Sequence, residues 1–188
     1  MNRYFIGILV SIGLLVLLVV LLFSGNKPSS RGAVPKSLSS YANTDALVRM
    51  TIDGPITAGQ DHNSVQITVG QNSATLNLIQ GYDNNVIESK TYPNTQNGYS
   101  AFLYSLYYAG YSLGNNAENL KNDLGYCSIG NRYIFELIQN GNDLTRYWTT
   151  NCGGVKKTYN GDSNLTIDLF KAQIPDYYSL TRTATLSN

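Results

Sequence analysis

Residues 64–92 read SVQITVGQNSATLNLIQGYDNNVIESKTY, and the fold is decided by how this stretch alternates. Val65, Ile67 and Val69 fall on one side and Gln66 and Thr68 on the other, the period of two expected of a half-buried strand. Gly70-Gln71-Asn72-Ser73 breaks the run, and in Ala74–Gln80 the residues Leu76 and Leu78 again share a face. Gly81-Tyr82-Asp83-Asn84-Asn85 makes a second turn into Val86–Tyr92. Short strands joined by polar turns predict an antiparallel meander. Upstream, Ala46–Asp53 adds a strand with Val48, Met50 and Ile52 inward and Arg49 and Thr51 outward, ended by Asp53-Gly54-Pro55. The loop Ile56–Asn63 that follows it carries the only histidine, His62.

The period changes after Pro93. Tyr99, Phe102, Leu103, Leu106, Tyr107 and Gly110 recur as one face of an amphipathic helix, with Thr95 or Asn97 at its start and Gly110 or Gly114 at its end. Its economical place is across the apolar face of the meander. Asn115–Asp123 is polar and allows one short helical segment. Arg132–Ile138 and Leu144–Thr150 flank Asn140-Gly141, the pair that a type I′ hairpin turn requires. With those two residues central, opposed positions sum to 281: Tyr133 meets Trp148, Leu137 meets Leu144, and Glu136 points to solvent. Asp162 or Ser163 caps a second helix reaching about Gln173, with Leu165, Leu169, Phe170 and Ile174 facing the core. The predicted fold class is therefore α+β: an antiparallel sheet, made of a meander of three to four strands and a C-terminal β-hairpin, packed by two amphipathic helices.

Ahead of this domain lies Phe5–Phe23, FIGILVSIGLLVLLVVLLF, without a charged residue. At about 1.5 Å per helical residue it reaches roughly 28 Å, near the thickness of a bilayer's hydrocarbon core. Residues 1–25 are expected to be a signal-anchor transmembrane helix, 26–44 a flexible Ser/Gly/Pro/Lys/Asn linker, 45–180 a single soluble domain and 181–188 a disordered tail. A cleaved signal peptide is the competing reading, but the apolar run exceeds the usual signal core of roughly 7–15 residues. Charge counting alone, Arg3 against Lys27, Arg31 and Lys36, mildly opposes an exported domain. The cysteines oppose that count. Cys127 and Cys152 fall at the base of the hairpin, where a disulfide would staple it, and disulfides persist outside the cytoplasm. The expected localisation is the cell membrane, single-pass, with a cytoplasmic N-terminus and an extracytoplasmic domain. The alternative is a reduced, cytoplasm-facing domain with two core thiols.

The chain has 13 Lys+Arg against 12 Asp+Glu, net +1, and no basic run, which argues against nucleic acid as a partner. Its 15 tyrosines and many asparagines suit contacts by ring faces, hydroxyls and amides. Tyr104, Tyr108, Tyr111, Tyr147, Tyr177 and Tyr178 are the candidate interaction surface. The implied function is a membrane-anchored binding module of the cell envelope with a protein or glycan ligand. The alternative is an envelope hydrolase or thiol enzyme using His62 with Asp61, or Cys127. No nucleophile elbow, cysteine-protease signature, phosphate loop or zinc-ligand spacing occurs, so no catalytic residue, metal or cofactor is expected. The carboxylates, among them Asp53 and Asp123, are read as turn formers and caps.

Overall fold

The structure, a computed structural model, describes residues 37–182 and 184. The predicted anchor lies outside the described residues, as do most of the linker and of the tail. Among the described residues no helix is long and apolar enough to cross a membrane. The six strands among the described residues are β1 (Leu47–Asp53), β2 (Asn63–Val69), β3 (Ser73–Gln80), β4 (Asn85–Pro93), β5 (Arg132–Gln139) and β6 (Asn142–Thr150). The helices are α1 (Gln96–Tyr108), α2 (Ser163–Lys171) and α3 (Tyr177–Thr181).

All strands join one antiparallel sheet in the order β4-β3-β2-β1-β5-β6. The meander and the hairpin are thus continuous, because β1 pairs with β2 on one side and with β5 on the other. Val48, Met50, Val65, Ile67 and Leu76 point to one face and are fully buried against Tyr99, Leu103 and Leu106 of α1 and Phe170 of α2. This is the α+β architecture expected from the alternation. The domain begins earlier than predicted. Leu38–Tyr41 forms a 3-10 turn, Leu38 and Ala42 are buried in the core, and Gln71 Nε2 donates to the carbonyls of Ala42 and Thr44.

Local signals set the helix ends. Thr95 Oγ1 accepts the Gly98 amide and Asp162 Oδ1 the Leu165 amide, as N-caps do. At the end of α1 the amides of Gly110 and Tyr111 donate to the Tyr107 and Leu106 carbonyls, a Schellman motif made possible by φ +76° at Gly110. That turn brings Tyr111 into the core slot expected for Tyr107, which is exposed. In α2 the inward positions are Thr166, Ile167 and Phe170, while the predicted core residue Leu165 is largely exposed. The buried Thr166 hydroxyl bonds Tyr159 Oη at 2.7 Å, a polar core pair that apolarity alone does not reveal.

The hairpin turn has positive φ at both Asn140 and Gly141, as its type demands. Gln139 opposes Asn142 and Ile138 opposes Asp143, in the predicted register. Beyond them Leu144 has no partner and bulges, so Leu137 opposes Thr145 and Ile134 opposes Trp148. The predicted pairs Tyr133–Trp148 and Leu137–Leu144 therefore do not form. One extra residue in β6 slides every later pair by one position.

Candidate functional site

The bulge sets the chemistry of the sheet's second face, the one turned away from α1 and α2. Alternation sends Arg49, Thr51 and Asp53 of β1 to that face. The register then lays Arg49 beside Glu136, Glu136 beside Arg146, and Asp53 beside Arg132. Glu136 does not point into solvent as predicted; it is buried between two arginines, with Arg49 Nε at 2.7 Å from Oε2 and Arg146 Nε at 3.5 Å from Oε1. Burial lowers the pKa of the Arg49 guanidinium, but the hydrogen bond and charge of Glu136 outweigh it and hold that pKa above its ordinary value.

From Glu136 the network continues inward. Arg146 Nη2 donates to Asp123 Oδ1 at 2.6 Å, and Asp123 Oδ2 lies 3.6 Å from Nε of Arg132. The Arg132 side chain is fully buried, and its Nε and Nη2 both donate to Asp53 Oδ2. The other oxygen of Asp53 sits 2.8 Å from His62 Nε2. Arg49, Glu136, Arg146, Asp123, Arg132 and Asp53 thus form a chain of alternating charge across three strands and a loop, and His62 bonds the carboxylate at its end. Asp53 and Asp123, read from sequence as turn formers, are carboxylates of that chain. The signal that was present is the set of charges at outward positions of β1, β5 and β6. Their mutual placement needed the register.

His62 is likewise not an open-loop residue. It is buried, its Nδ1 lies 3.0 Å from the Pro55 carbonyl, and Tyr82 stacks on it with ring centroids 4.1 Å apart. Its carboxylate partner is Asp53, whereas Asp61 is exposed. Both ring nitrogens face oxygen acceptors and no described hydrogen bond joins His62 to Ser64, so the nucleophile–base–orienter arrangement is not assembled there. Above the network is a cavity of about 590 Å³, bounded by the Tyr82 turn on one side and residues 121–124 on the other. Among the described residues no group of three or more His, Cys, Asp or Glu is placed to hold a metal ion.

Cys127 and Cys152 are joined in a disulfide with Cα atoms 5.6 Å apart. A thiol mechanism at Cys127 therefore has no thiolate to work with. The bond ties the end of the 117–127 segment to the bend that follows β6. That segment covers the outer face of β6: the Trp148 indole donates to the Leu120 carbonyl at 2.7 Å, and Tyr126 packs against the ring at 5.0 Å between centroids. Gly130 sits against the bridge so closely that an added Cβ would lie 2.6 Å from Cys127 Sγ.

The candidate tyrosines divide into two groups. Tyr111, Tyr147 and Tyr177 are buried and are not available as surface. Tyr111 Oη donates to the carbonyls of Glu136 (2.8 Å) and Arg49 (3.1 Å), filling the space under β1 and β5. Tyr104, Tyr108 and Tyr178 are exposed, and Tyr107 joins the first two. On α1 the exposures of Tyr104, Tyr107 and Tyr108 are 56, 57 and 67%, so three adjacent rings present more than half their surface to solvent. Tyr104 and Tyr108 contact edge to face at 4.7 Å and share a 2.8 Å hydroxyl hydrogen bond, which raises the pKa of the Tyr108 phenol. α1 contains no charged residue.

The buried phenols make an alkaline prediction. Burial holds Tyr111 well above the ordinary value near 10, raises Tyr99, and pushes Tyr177 up to about 12. In the unfolded chain these groups lose protons first as pH rises. Their contribution to stability is complete below about pH 10 and is lost as pH climbs towards 12. The melting temperature is expected to hold steady up to about pH 9.5 and then fall steeply. An unchanged melting temperature at about pH 11.5 would show that the phenols do not control it.

No protein-family model, curated protein or solved structure matches the chain.

Proposed function

We propose that the chain is a single-pass membrane-anchored protein whose extracytoplasmic α+β domain is a binding module of the cell envelope, taking a protein or glycan ligand on the tyrosine ridge of α1. The observation that carries this reading is the contiguous exposure of Tyr104, Tyr107 and Tyr108 on an uncharged helix. Aromatic rings grouped on a surface bury large area at small entropic cost when a partner covers them, and their hydroxyls supply hydrogen bonds at the rim. The disulfide supports an oxidising compartment. The apolar run Phe5–Phe23 supports the tether.

The test is retention of the full-length, detergent-solubilised chain on two immobilised probes, purified cell-wall glycan and envelope protein extract. Replacing Tyr104, Tyr107 and Tyr108 together by alanine is expected to lower retention on one probe by at least about tenfold, because exposed aromatics are where interface energy concentrates. Stability should change little, since these side chains lie outside the core. Equal retention of the triple variant on both probes would refute the assignment of the ridge. Digestion of the domain by protease added outside intact cells checks the topology.

A further inference from the structure

β4 closes one edge of the sheet. Among the described residues its neighbour is β3 alone, and no described backbone hydrogen bond leaves its outer side. The opposite edge is treated differently. There the Trp148 amide donates to Thr158 Oγ1, and its carbonyl accepts the amides of Thr158 and Tyr159, so the 158–159 segment occupies part of the edge of β6. Every residue of β4 except Tyr92 is exposed, including Val86 and Ile87 at about half their surface. An unpaired edge of this length is a template for another strand, and chains guard such edges with charge, proline and bulges. β4 carries all three: Glu88 and Lys90, Pro93, and a bulge at Ile87, which has no partner between Glu88↔Leu78 and Val86↔Ile79.

The two charges do more than repel strangers. They flank Ser89 symmetrically and, being two residues apart in a strand, project to the same face. Consider a second copy of β4 laid antiparallel beside the first. Centred on Ser89, the pairing places Glu88 of each copy opposite Lys90 of the other, twice over, and sets Ile87 opposite Thr91. Centring on Glu88 or on Lys90 instead puts like charges face to face, and the half-step register between Ser89 and Lys90 leaves both charges unmatched. Opposite charges directly across an antiparallel pair stabilise it and like charges destabilise it. One register in this stretch satisfies both charges.

From this edge we infer that the occupant of β4 is a second copy of the chain, paired antiparallel about a two-fold axis through Ser89 to join two six-stranded sheets. Charge complementarity selects the copy, and the bulge at Ile87 limits the regular contact to residues 88–90 of each copy, because Thr91 and Tyr92 would face Ile87 and Val86 of the other. This pairing is independent of the tyrosine ridge, which lies on α1.

The experiment is site-directed crosslinking of the full-length chain in the membranes of cells that express it. The native cysteines are already bonded to each other and contribute no thiol. Ser89→Cys puts two thiols opposite each other at the axis, with Cβ atoms about 4.5–5.5 Å apart and within reach of oxidation or a short bis-thiol reagent. A band of twice the chain mass is expected under non-reducing conditions, and Thr91→Cys, whose counterpart is Ile87, should give far less. Adding Lys90→Glu to Ser89→Cys is expected to cut the dimer by about tenfold, and adding Glu88→Lys as well should restore it. Absence of the dimer in Ser89→Cys, an equal yield from Thr91→Cys, or indifference to Lys90→Glu would each overturn the proposal.

Discussion

Asp53→Ala is expected to destabilise the domain by about 3–5 kcal/mol, the largest single effect predicted here. The reason is what it leaves behind. Asp53 is the principal counter-ion of Arg132, whose side chain is fully buried, and it also holds His62. Removing it strands a guanidinium inside the protein, with Asp123 at 3.6 Å as the remaining carboxylate. The cost comes from that uncompensated burial and greatly exceeds what an exposed ion pair contributes, roughly 0–1 kcal/mol. Thermal unfolding of the detergent-solubilised chain, followed by near-ultraviolet circular dichroism, measures it. Two companions separate the cause from general damage. His62→Ala removes one partner of Asp53 and leaves the arginine pair intact, so it should cost clearly less. Asp53→Ala combined with Arg132→Met should cost less than the sum of the single changes, because the second substitution removes the stranded charge. Strict additivity in that cycle would rule out the pair as the source.

Loss of the disulfide is the second large effect. Cys127→Ser with Cys152→Ser opens a loop spanning 25 positions, and the chain-entropy model puts the loss at about 3 kcal/mol. The consequence is also local. The bond holds the 117–127 segment over Trp148 and keeps Asp123 within reach of Arg146 and Arg132. Trp148 is the only tryptophan, so its emission reports that cover directly. The double variant should show red-shifted fluorescence at temperatures below its unfolding transition, as the segment lifts and water reaches the ring. Reduction of the native protein should reproduce the shift, and reoxidation should reverse it. A double variant with native emission and a melting curve within about 1 kcal/mol of the parent would remove the staple from the account.

Both effects concern residues that were visible in the sequence, and they differ in how much of their role was legible there. The disulfide pair could be read from the hairpin, because a type I′ turn at Asn140-Gly141 fixes roughly where the two ends of the hairpin meet. The core positions of β1, β2 and β3 could be read from the period of two, and the caps were narrowed to Thr95 or Asn97 and to Asp162 or Ser163, of which the structure uses Thr95 and Asp162. Glu136 could not be read correctly. Alternation puts it on the face away from the core, which normally means solvent; here the same face also receives Arg49 from one neighbouring strand and Arg146 from the other. His62 was misplaced for a similar reason. Its loop is polar, yet that loop folds back so that Asp53, Pro55 and Tyr82 enclose the ring.

By itself the sequence determined the strands, the two main helices, the hairpin turn and the cysteine pair. Each of these depends on preferences expressed within a few residues: side-chain alternation, backbone dihedrals, and side-chain oxygens that accept nearby amides. Only the tertiary structure decided that β1 lies between β2 and β5, that Leu144 bulges, and that seven ionisable groups consequently form one chain, with Glu136, Asp123, Arg132 and His62 buried in it. Those outcomes depend on which strands pair and in what register, and the free energy of a charge is set by the atoms around it in space, most of them contributed by residues distant along the chain.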